Sequence, residues 1–454
     1  MKRLNGMDAM LLYSETPNLH THTLKVAVIH ADDYPARFDE PYTFDVFRRT
    51  IAARLHLLEP LRYKLVDIPY RFHHPMWLQD CPVDLDYHLH RVRVPEPGGR
   101  RELDEVIGAI ASTPLDRTRP LWEFHFAEGM ADDRFALIGK VHHTLADGVA
   151  SANLLARLMD LAGAPDEPGH YEPCDEPSKR ELLRAAWRDH VQNAVELPSV
   201  LRDTIRGVTR VGRRPRDRRD RSDMARMFRA PPTFLNHVVS PGRTLAAAAG
   251  GLRELLLRYD GRADSPLLAS VPVSTDRSPD RITGNEISGL AVSLPVHVDD
   301  PLERVRLTAV ATANAKEIHD LLGPRLQGQM MEYLPPPLSP ALFRWQSRRA
   351  AHNRVMNVAI STVPGPREHG HVGGARVTEI YSVGVLSAGS AFNMTVWSYV
   401  DQVDISVLSD DATFRDVHEA TDAMMHSLDE IRRAAGLPTL RTPDTAMAPA
   451  PAAR

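Results

Sequence analysis

Apolar runs of strand length alternate along the chain with stretches in which apolar residues recur every three or four positions. That is the pattern of strands interleaved with helices. Phe135-Ala136-Leu137-Ile138-Gly139-Lys140-Val141 is nearly continuous apolar sequence, as expected of a strand buried on both faces. Leu154, Leu155, Leu158, Met159 and Leu161 then recur at helical spacing. Earlier, Leu24 to Ile29 reads as a strand and Phe44 to Leu57 as a helix; later, Leu267 to Val273 and Ile287 to Val298 read as strands. Helices are predicted over residues 301–322 and 415–435. The pattern breaks at Gly163-Ala164-Pro165-Asp166-Glu167-Pro168-Gly169, a loop by composition, and Lys179 to Arg206 predicts one or two exposed helices. The chain therefore divides into an α/β half over 1–162, a charged helical and loop connector over 163–230, and a second α/β half over 231–437. Residues 438–454, rich in Pro and Ala, predict a disordered tail.

Composition narrows the class. With 454 residues, 43% of them hydrophobic, the chain has material for two sizeable cores. A net charge of −4 gives no reason to invoke nucleic acid. Cys81 and Cys174 make no disulfide framework and sit in no metal-type cluster, so reduced thiols of a cytoplasmic, non-secreted protein are expected. Met1 to Asn18 is interrupted by Lys2, Arg3, Asp8 and Glu15, unlike a signal peptide. No apolar stretch reaches membrane-spanning length, so membrane contact is expected to be peripheral. Ala341-Leu342-Phe343-Arg344-Trp345, followed by Arg348 and Arg349, has the make-up of an amphipathic surface helix, although packing on the domain serves the same pattern. His73-His74 lacks His-Glu-x-x-His spacing, and no metal site is predicted.

The chemistry concentrates where the apolar strand gives way to the helix, at His142-His143-Thr144-Leu145-Ala146-Asp147-Gly148. Adjacent histidines in extended backbone face opposite ways, so only one can enter a given cleft. Asp147 stands near the helix start, where a carboxylate accepts backbone N–H groups or pairs with a buried arginine. Gly148 permits close backbone approach. Two histidines alone favour a hydrogen-bonded core pair. The complete His-His-x-x-x-Asp-Gly spacing at a strand-to-helix junction favours a general base. No Gly-x-Ser-x-Gly elbow occurs, which argues against a hydrolase-type nucleophile.

This motif resembles that of the CoA-dependent acyltransferase superfamily, which includes chloramphenicol acetyltransferase and condensation domains. Further elements narrow the resemblance to bacterial wax ester synthase/diacylglycerol acyltransferases of the actinobacterial type. These are Leu4-Asn5-Gly6-Met7-Asp8-Ala9, Pro120-Leu121-Trp122-Glu123, Gly284-Asn285, Val363-Pro364-Gly365-Pro366 and Thr395-Val396-Trp397-Ser398-Tyr399. They fall in the family's order between about residues 4 and 436. The resemblance implies two chloramphenicol-acetyltransferase-like domains, each a mixed sheet with flanking helices, around a tunnel. It also implies direct transfer from acyl-CoA, as co-substrate rather than bound cofactor, to the hydroxyl of diacylglycerol or a fatty alcohol. His143 would be the general base, His142 a structural neighbour and Asp147 a structural ion-pair partner beside Gly148. Trp122, Asn285, Pro364, Gly365 and Asn393 are candidates to touch substrate, with Ser398 beside them; each has an equally plain packing or turn-forming role. Peripheral contact with the inner membrane or lipid droplets follows from the neutral-lipid acceptor. Arg206 to Arg229, with ten arginines against three aspartates, fits either attraction of headgroups and CoA phosphates or a solvated connector.

The sequence also departs from the family. Ser240-Pro241-Gly242-Arg243-Thr244-Leu245-Ala246 runs almost directly into Ala247 to Leu252, so a strand and the helix segment bearing an Asn-Asp pair are expected to be missing near 246–247. Thr362 stands where the family often has Asn. These departures support a second reading, an impaired paralogue that binds acyl-CoA or neutral lipid. A condensation-type domain is a third, disfavoured by the Pro-Leu-Trp and C-terminal elements.

Overall fold

A computed structural model describes residues 1–31, 34, 40–160, 171–214, 229–236, 244–247, 251–349, 355–414 and 416–438. Its strands form three sheets. A small one joins β1 (Lys2–Arg3), β4 (Met76–Leu78) and β3 (Lys64–Val66) in that order. The first large sheet runs β12 (His371–Val372), β13 (Ala375–Val383), β2 (His22–His30), β7 (Arg134–His142), β6 (Trp122–Glu128), β5 (Leu89–Arg93). The second runs β10 (Ile287–Leu294), β9 (Leu267–Ser274), β11 (Val358–Pro364), β14 (Phe392–Tyr399), β15 (Gln402–Asp410), β8 (Thr244–Ala247). Both large sheets are mixed: β5 runs parallel to β6, and β11 runs parallel to β9 and β14.

The helices of the first half are α1 (Gly6–Ser14), α2 (Phe44–Arg54), α3 (Leu85–His88), α4 (Arg100–Ala111) and α5 (Gly148–Leu158). A 35-residue helix, α6 (Lys179–Arg213), follows, and then α7 (Leu252–Tyr259), α8 (Pro301–Leu322), α9 (Leu326–Glu332), α10 (Ser339–Arg349) and α11 (His418–Ala434). The expected mixed α/β architecture is present. The connector, expected as one or two helices, is a single helix despite Pro198, started by a Ser178–Glu181 capping box.

The apolar run of β7 is buried because β2 and β6 flank it and each of its faces carries a core. One face, with Ala27, Phe124, Phe126 and Leu137, packs on α2 and α5; the other, with Leu24, Val26 and Ile138, packs on α4. The first core also takes in Val363, Trp397 and Tyr399 from the second half. Late in the chain, β13 pairs with β2 and β12 with β13, completing the first sheet. The halves are therefore stitched together by a shared core and by two strands that the second half lends to the first sheet. The end of β7 lies at that junction.

The strand expected to be missing near 246–247 is present in short form. β8 pairs with β15, Ala247 opposite Val407 and Thr244 opposite Asp410, and α7 follows. β8 thus becomes the edge of the sheet and pairs the last four residues of β15 without the longer segment. No Asn-Asp pair occurs at this place in the sequence. Most of the arginine-rich stretch, 215–228, and the tail from 439 lie outside the described residues.

Candidate active site

β7 ends at His142, and the chain turns through Thr144 to Ala146 before α5 begins. His142 and His143 diverge as their strand geometry requires. His142 points into a polar cluster and is almost wholly buried. Its Nδ1 lies 2.8 Å from Thr144 Oγ1, and its Nε2 lies 3.1 Å from Thr21 Oγ1 and 3.2 Å from Glu15 Oε1. Glu15 is in turn bridged by Arg117 at 2.6 Å. Both ring nitrogens are occupied, so His142 is a fastener of the turn, as expected.

His143 points the other way. Its backbone N–H donates to Thr21 O at 2.8 Å, and its Nδ1 lies 2.9 Å from Asn285 Oδ1. The amide of Asn285 is oriented without ambiguity, because Nδ2 donates to Asp8 Oδ1 at 2.6 Å and to the His143 carbonyl at 2.7 Å. Oδ1 can then only accept, so Nδ1 of His143 carries the proton and Nε2 is the free acceptor. Burial, and to a lesser degree the Lys25 charge, lower the His143 pKa below 6.5, opposed by its hydrogen bonds and the Asp147 charge. The imidazole is neutral at pH 7. Asn285 had two sequence readings, as a donor to substrate and as a turn stabiliser. With both amide hydrogens used internally, it instead orients the His143 ring. Asp8, whose carboxyl burial pushes well above the usual range, anchors that amide from α1.

Asp147 caps α5 through Ala150 N at 2.9 Å and pairs with Arg281 at 2.9 Å. Its second oxygen accepts the Glu286 N–H at 3.0 Å. The Asp147 side chain is 1% exposed and that of Arg281 10%. Backbone bonds from Gly284 N to Leu145 O at 2.7 Å and from Asp147 N to Gly284 O at 3.2 Å close the joint. The loop carrying Asn285 is thereby locked onto the histidine turn from the other half of the chain. The expected ion pair exists, and its partner is Arg281. Gly148 is required by close packing: a Cβ there would come within 2.8 Å of Val363 Cγ2.

The remaining candidates divide. Trp122 is fully buried, stacks on His88 at 4.2 Å and donates its indole N–H to Leu61 O at 2.7 Å. It is a satisfied core residue, which corrects its assignment to substrate binding. Gly365 is likewise steric, since a Cβ would meet Ser398 O and Trp397 Nε1; its N–H donates to Ser398 Oγ at 3.2 Å. Pro364 and Thr362 are exposed on β11. Asn393 is buried on β14, accepts from Thr395 Oγ1 at 3.2 Å, and faces Gly384.

Two recesses border residues next to the histidine. One, lined almost entirely by apolar groups, runs along the α2/α5 face of the first sheet past Thr23, Val141, Gly139, Phe124, Leu154 and Leu158. The other, more polar, is bordered by Asn5, Met7, Asn285, Arg325 and Gln329. Val141 precedes His143 by two residues on the same strand face, and Asn285 holds its ring. Each recess is thus bordered by a residue beside His143, Val141 for the apolar one and Asn285 for the polar one. Asp8, Glu15 and Arg281 were not singled out from sequence; Asp8 and Glu15 stood near or within the N-terminal signature, but nothing in their spacing showed which histidine each would serve.

Known proteins resemble the chain over its whole length. Residues 4–256 match the wax ester synthase/diacylglycerol acyltransferase catalytic domain model, and 283–432 match the WS/DGAT C-terminal domain model. A Mycobacterium tuberculosis H37Rv protein named as a candidate diacylglycerol O-acyltransferase is 53% identical, with 99% of this chain and all of that protein covered. A second from the same strain is 33% identical over 96% of this chain and 98% of its own length. The wax ester synthase/diacylglycerol acyltransferase of Marinobacter aquaeolei VT8 superposes with a TM-score of 0.64 at 25% identity, covering 96% of this chain and all of that one. The first condensation domain of the CDA synthetase shares the fold, at 13% identity and TM-score 0.56, over 97% of each chain.

Proposed function

The chain belongs to the wax ester synthase/diacylglycerol acyltransferase family, and on that premise we propose that it transfers a long-chain acyl group from acyl-CoA to the hydroxyl of diacylglycerol, forming triacylglycerol. One observation carries the reading: His143 is held at Nδ1 by Asn285, which lines the polar recess, and lies two residues beyond Val141 of the apolar recess. Nε2 takes the hydroxyl proton as the oxygen attacks the thioester carbonyl. The tetrahedral intermediate collapses, and the CoA sulfur leaves with the proton returned from His143. The thioester is already activated, so no acyl-enzyme is needed. The apolar recess suits the acyl chain, with Gly139 leaving the space a side chain would fill. Acyl-CoA is a co-substrate, and no resident cofactor or metal enters this scheme.

The test offers labelled palmitoyl-CoA with dioleoylglycerol and hexadecanol in parallel. Labelled triacylglycerol is expected, and ester from hexadecanol alone would reassign the acceptor. No ester from a folded chain that binds acyl-CoA would favour the impaired paralogue, the reading supported by the absent Asn-Asp pair. The pH profile is a second check. The base must be unprotonated, and its pKa lies below 6.5, so kcat should be flat around pH 7 and fall only as acidity rises through that lowered pKa. A limb centred above pH 7 would exclude His143 as the titrating base.

A lipid acceptor calls for a lipid surface, and α6 offers one. No helix among the described residues is long and apolar enough to cross a membrane. Trp187, Val191, Val195, Leu201, Ile205 and Val208 are exposed at helical spacing along one side of α6, with Arg184, Arg188, Arg202 and Arg206 beside them. Leu342 and Trp345 on α10 are exposed too. A basic-edged apolar stripe suits an anionic bilayer surface. Val195→Glu with Ile205→Glu should reduce co-sedimentation with phosphatidylglycerol vesicles at least fivefold; unchanged sedimentation would remove α6 from the lipid contact.

A further inference from the structure

Lys25 sits in the middle of β2 on the sheet face that lines the apolar recess. Across the register it lies opposite Gly139 of β7 and Ser382 of β13. Its surroundings are Thr23, Ala27, Phe47, Leu58, Leu61 and Ile380. Nζ donates to Ser382 Oγ at 2.6 Å and stands 5.0 Å from the centre of the Trp397 ring. Among the described residues, no carboxylate lies within ion-pair distance of it. An ammonium has three N–H donors, and one is spent on a neutral hydroxyl.

The same sheet shows how this fold treats a lysine that serves only structure. Lys140, on the opposite face, has a fully buried side chain and is matched by Glu123 at 3.3 Å and Thr113 Oγ1 at 2.8 Å. Lys25 has no such match. An unpaired charge among aliphatic groups opposes folding, and a methionine of similar length would fill the site without that cost. Lys25 is part of the lining of the recess, which continues past Leu58, Leu61, Leu154 and Leu158. The complement of this arrangement is a single negative charge joined to an aliphatic chain. Phosphate, with up to two charges and no tail, matches neither the lone cation nor the apolar walls.

We infer that Lys25 is a carboxylate-binding group, and that the recess takes an alkyl chain bearing a carboxylate that sits against Lys25. Two molecules carry that chemistry: a free fatty acid, and an acyl thioester with a carboxylate along or at the end of its chain. Lys25 lies opposite Gly139, four residues of strand from His143, yet its charge reaches the imidazole and lowers its pKa, so a carboxylate held on Nζ lies within electrostatic reach of His143. A fatty acid held there would occupy the path of the acyl donor's chain and inhibit competitively. Burial lowers the Lys25 pKa to about 8, which keeps it charged at neutral pH and allows it to be discharged in mild alkali.

The experiment is calorimetric titration of the full chain, wild type and Lys25→Met, with laurate, methyl laurate, lauroyl-CoA and dodecanedioyl-CoA. At pH 7, Lys25→Met should weaken a carboxylate-bearing ligand at least tenfold while leaving methyl laurate unchanged. Wild type should show the same loss on going from pH 7 to 9.5, which tests the idea even if the variant folds poorly. Weakened laurate identifies the free acid; weakened dodecanedioyl-CoA, with laurate and lauroyl-CoA unaffected, identifies the thioester-borne carboxylate. Equal affinities for all four ligands in both proteins, and no change with pH, would overturn the inference. Because these are binding measurements, a chain that transfers no acyl group can still satisfy them, and an active acyltransferase can still fail them.

Discussion

His143→Ala is expected to lower kcat for acyl transfer about 10²- to 10⁴-fold, the usual contribution of a positioned general base, with little change in the melting transition. The asymmetry follows from what the ring touches. Its side-chain hydrogen bond to protein runs from Nδ1 to Asn285 Oδ1, and the bonds that secure the turn use the His143 backbone, which alanine retains. His142→Ala should behave in the opposite sense. It would strip Thr21, Thr144 and Glu15 of a shared partner, so stability should fall along with rate. Asn285→Ala separates positioning from chemistry: the base survives but its tautomer is no longer imposed. Its kcat should fall less than in His143→Ala. Thermal melts and single-turnover rates for the three variants check the ordering. If His143→Ala kept more than a tenth of the wild-type rate, the base would have to be sought elsewhere.

What the sequence disclosed and what it withheld have separate physical origins. The apolar run at Phe135–Val141 and the helical spacing from Leu154 are local patterns; β7 formed where the first pointed, and α5 covers the second as far as Leu158, with Met159 its C-cap and Leu161 outside the described residues. The opposed directions of His142 and His143 are also local, a property of extended backbone. The strand expected over Ile287–Val298 ends at Leu294, where Pro295 cannot donate to a ladder. Partners from distant sequence were not legible. Asn285 reaches His143 across 142 positions and Asp8 across 277, and nothing in either segment encodes that meeting. The same holds for β12 and β13, which follow the second sheet's strand β11 in sequence yet complete the first sheet. Trp122 shows the converse: a motif residue suggests contact with substrate, but Leu61 O and the His88 ring already satisfy its polar and apolar surfaces. Lys25, a lysine inside a strand pattern, reads as a solvent-facing position; Phe47, Leu58 and Leu61 from its own half and Ser382 and Trp397 from the other surround it in the fold.

Asp147→Ala should be the most damaging single change to the fold at this site, destabilising the chain by about 3–5 kcal/mol, as when one partner of a buried ion pair is removed. Three losses coincide. The Arg281 guanidinium keeps its burial but loses its counter-charge, Ala150 N loses its cap, and Glu286 N loses its acceptor. The cap alone is worth about 1 kcal/mol, so most of the effect must come from the stranded arginine. That distinction can be measured. Asp147→Asn keeps an acceptor for the cap and should recover only the smaller part, whereas Asp147→Ala combined with Arg281→Met removes the uncompensated charge and should recover the larger part. Activity should follow a different course. The Arg281–Glu286 loop carries Asn285 to His143, so the double variant should regain stability without regaining kcat. Urea midpoints and acyl-transfer rates on the four proteins separate the two roles. Equal midpoints for wild type and Asp147→Ala would show that the pair contributes nothing to the fold. Full activity in the double variant would show that the joint between the halves does not position the base.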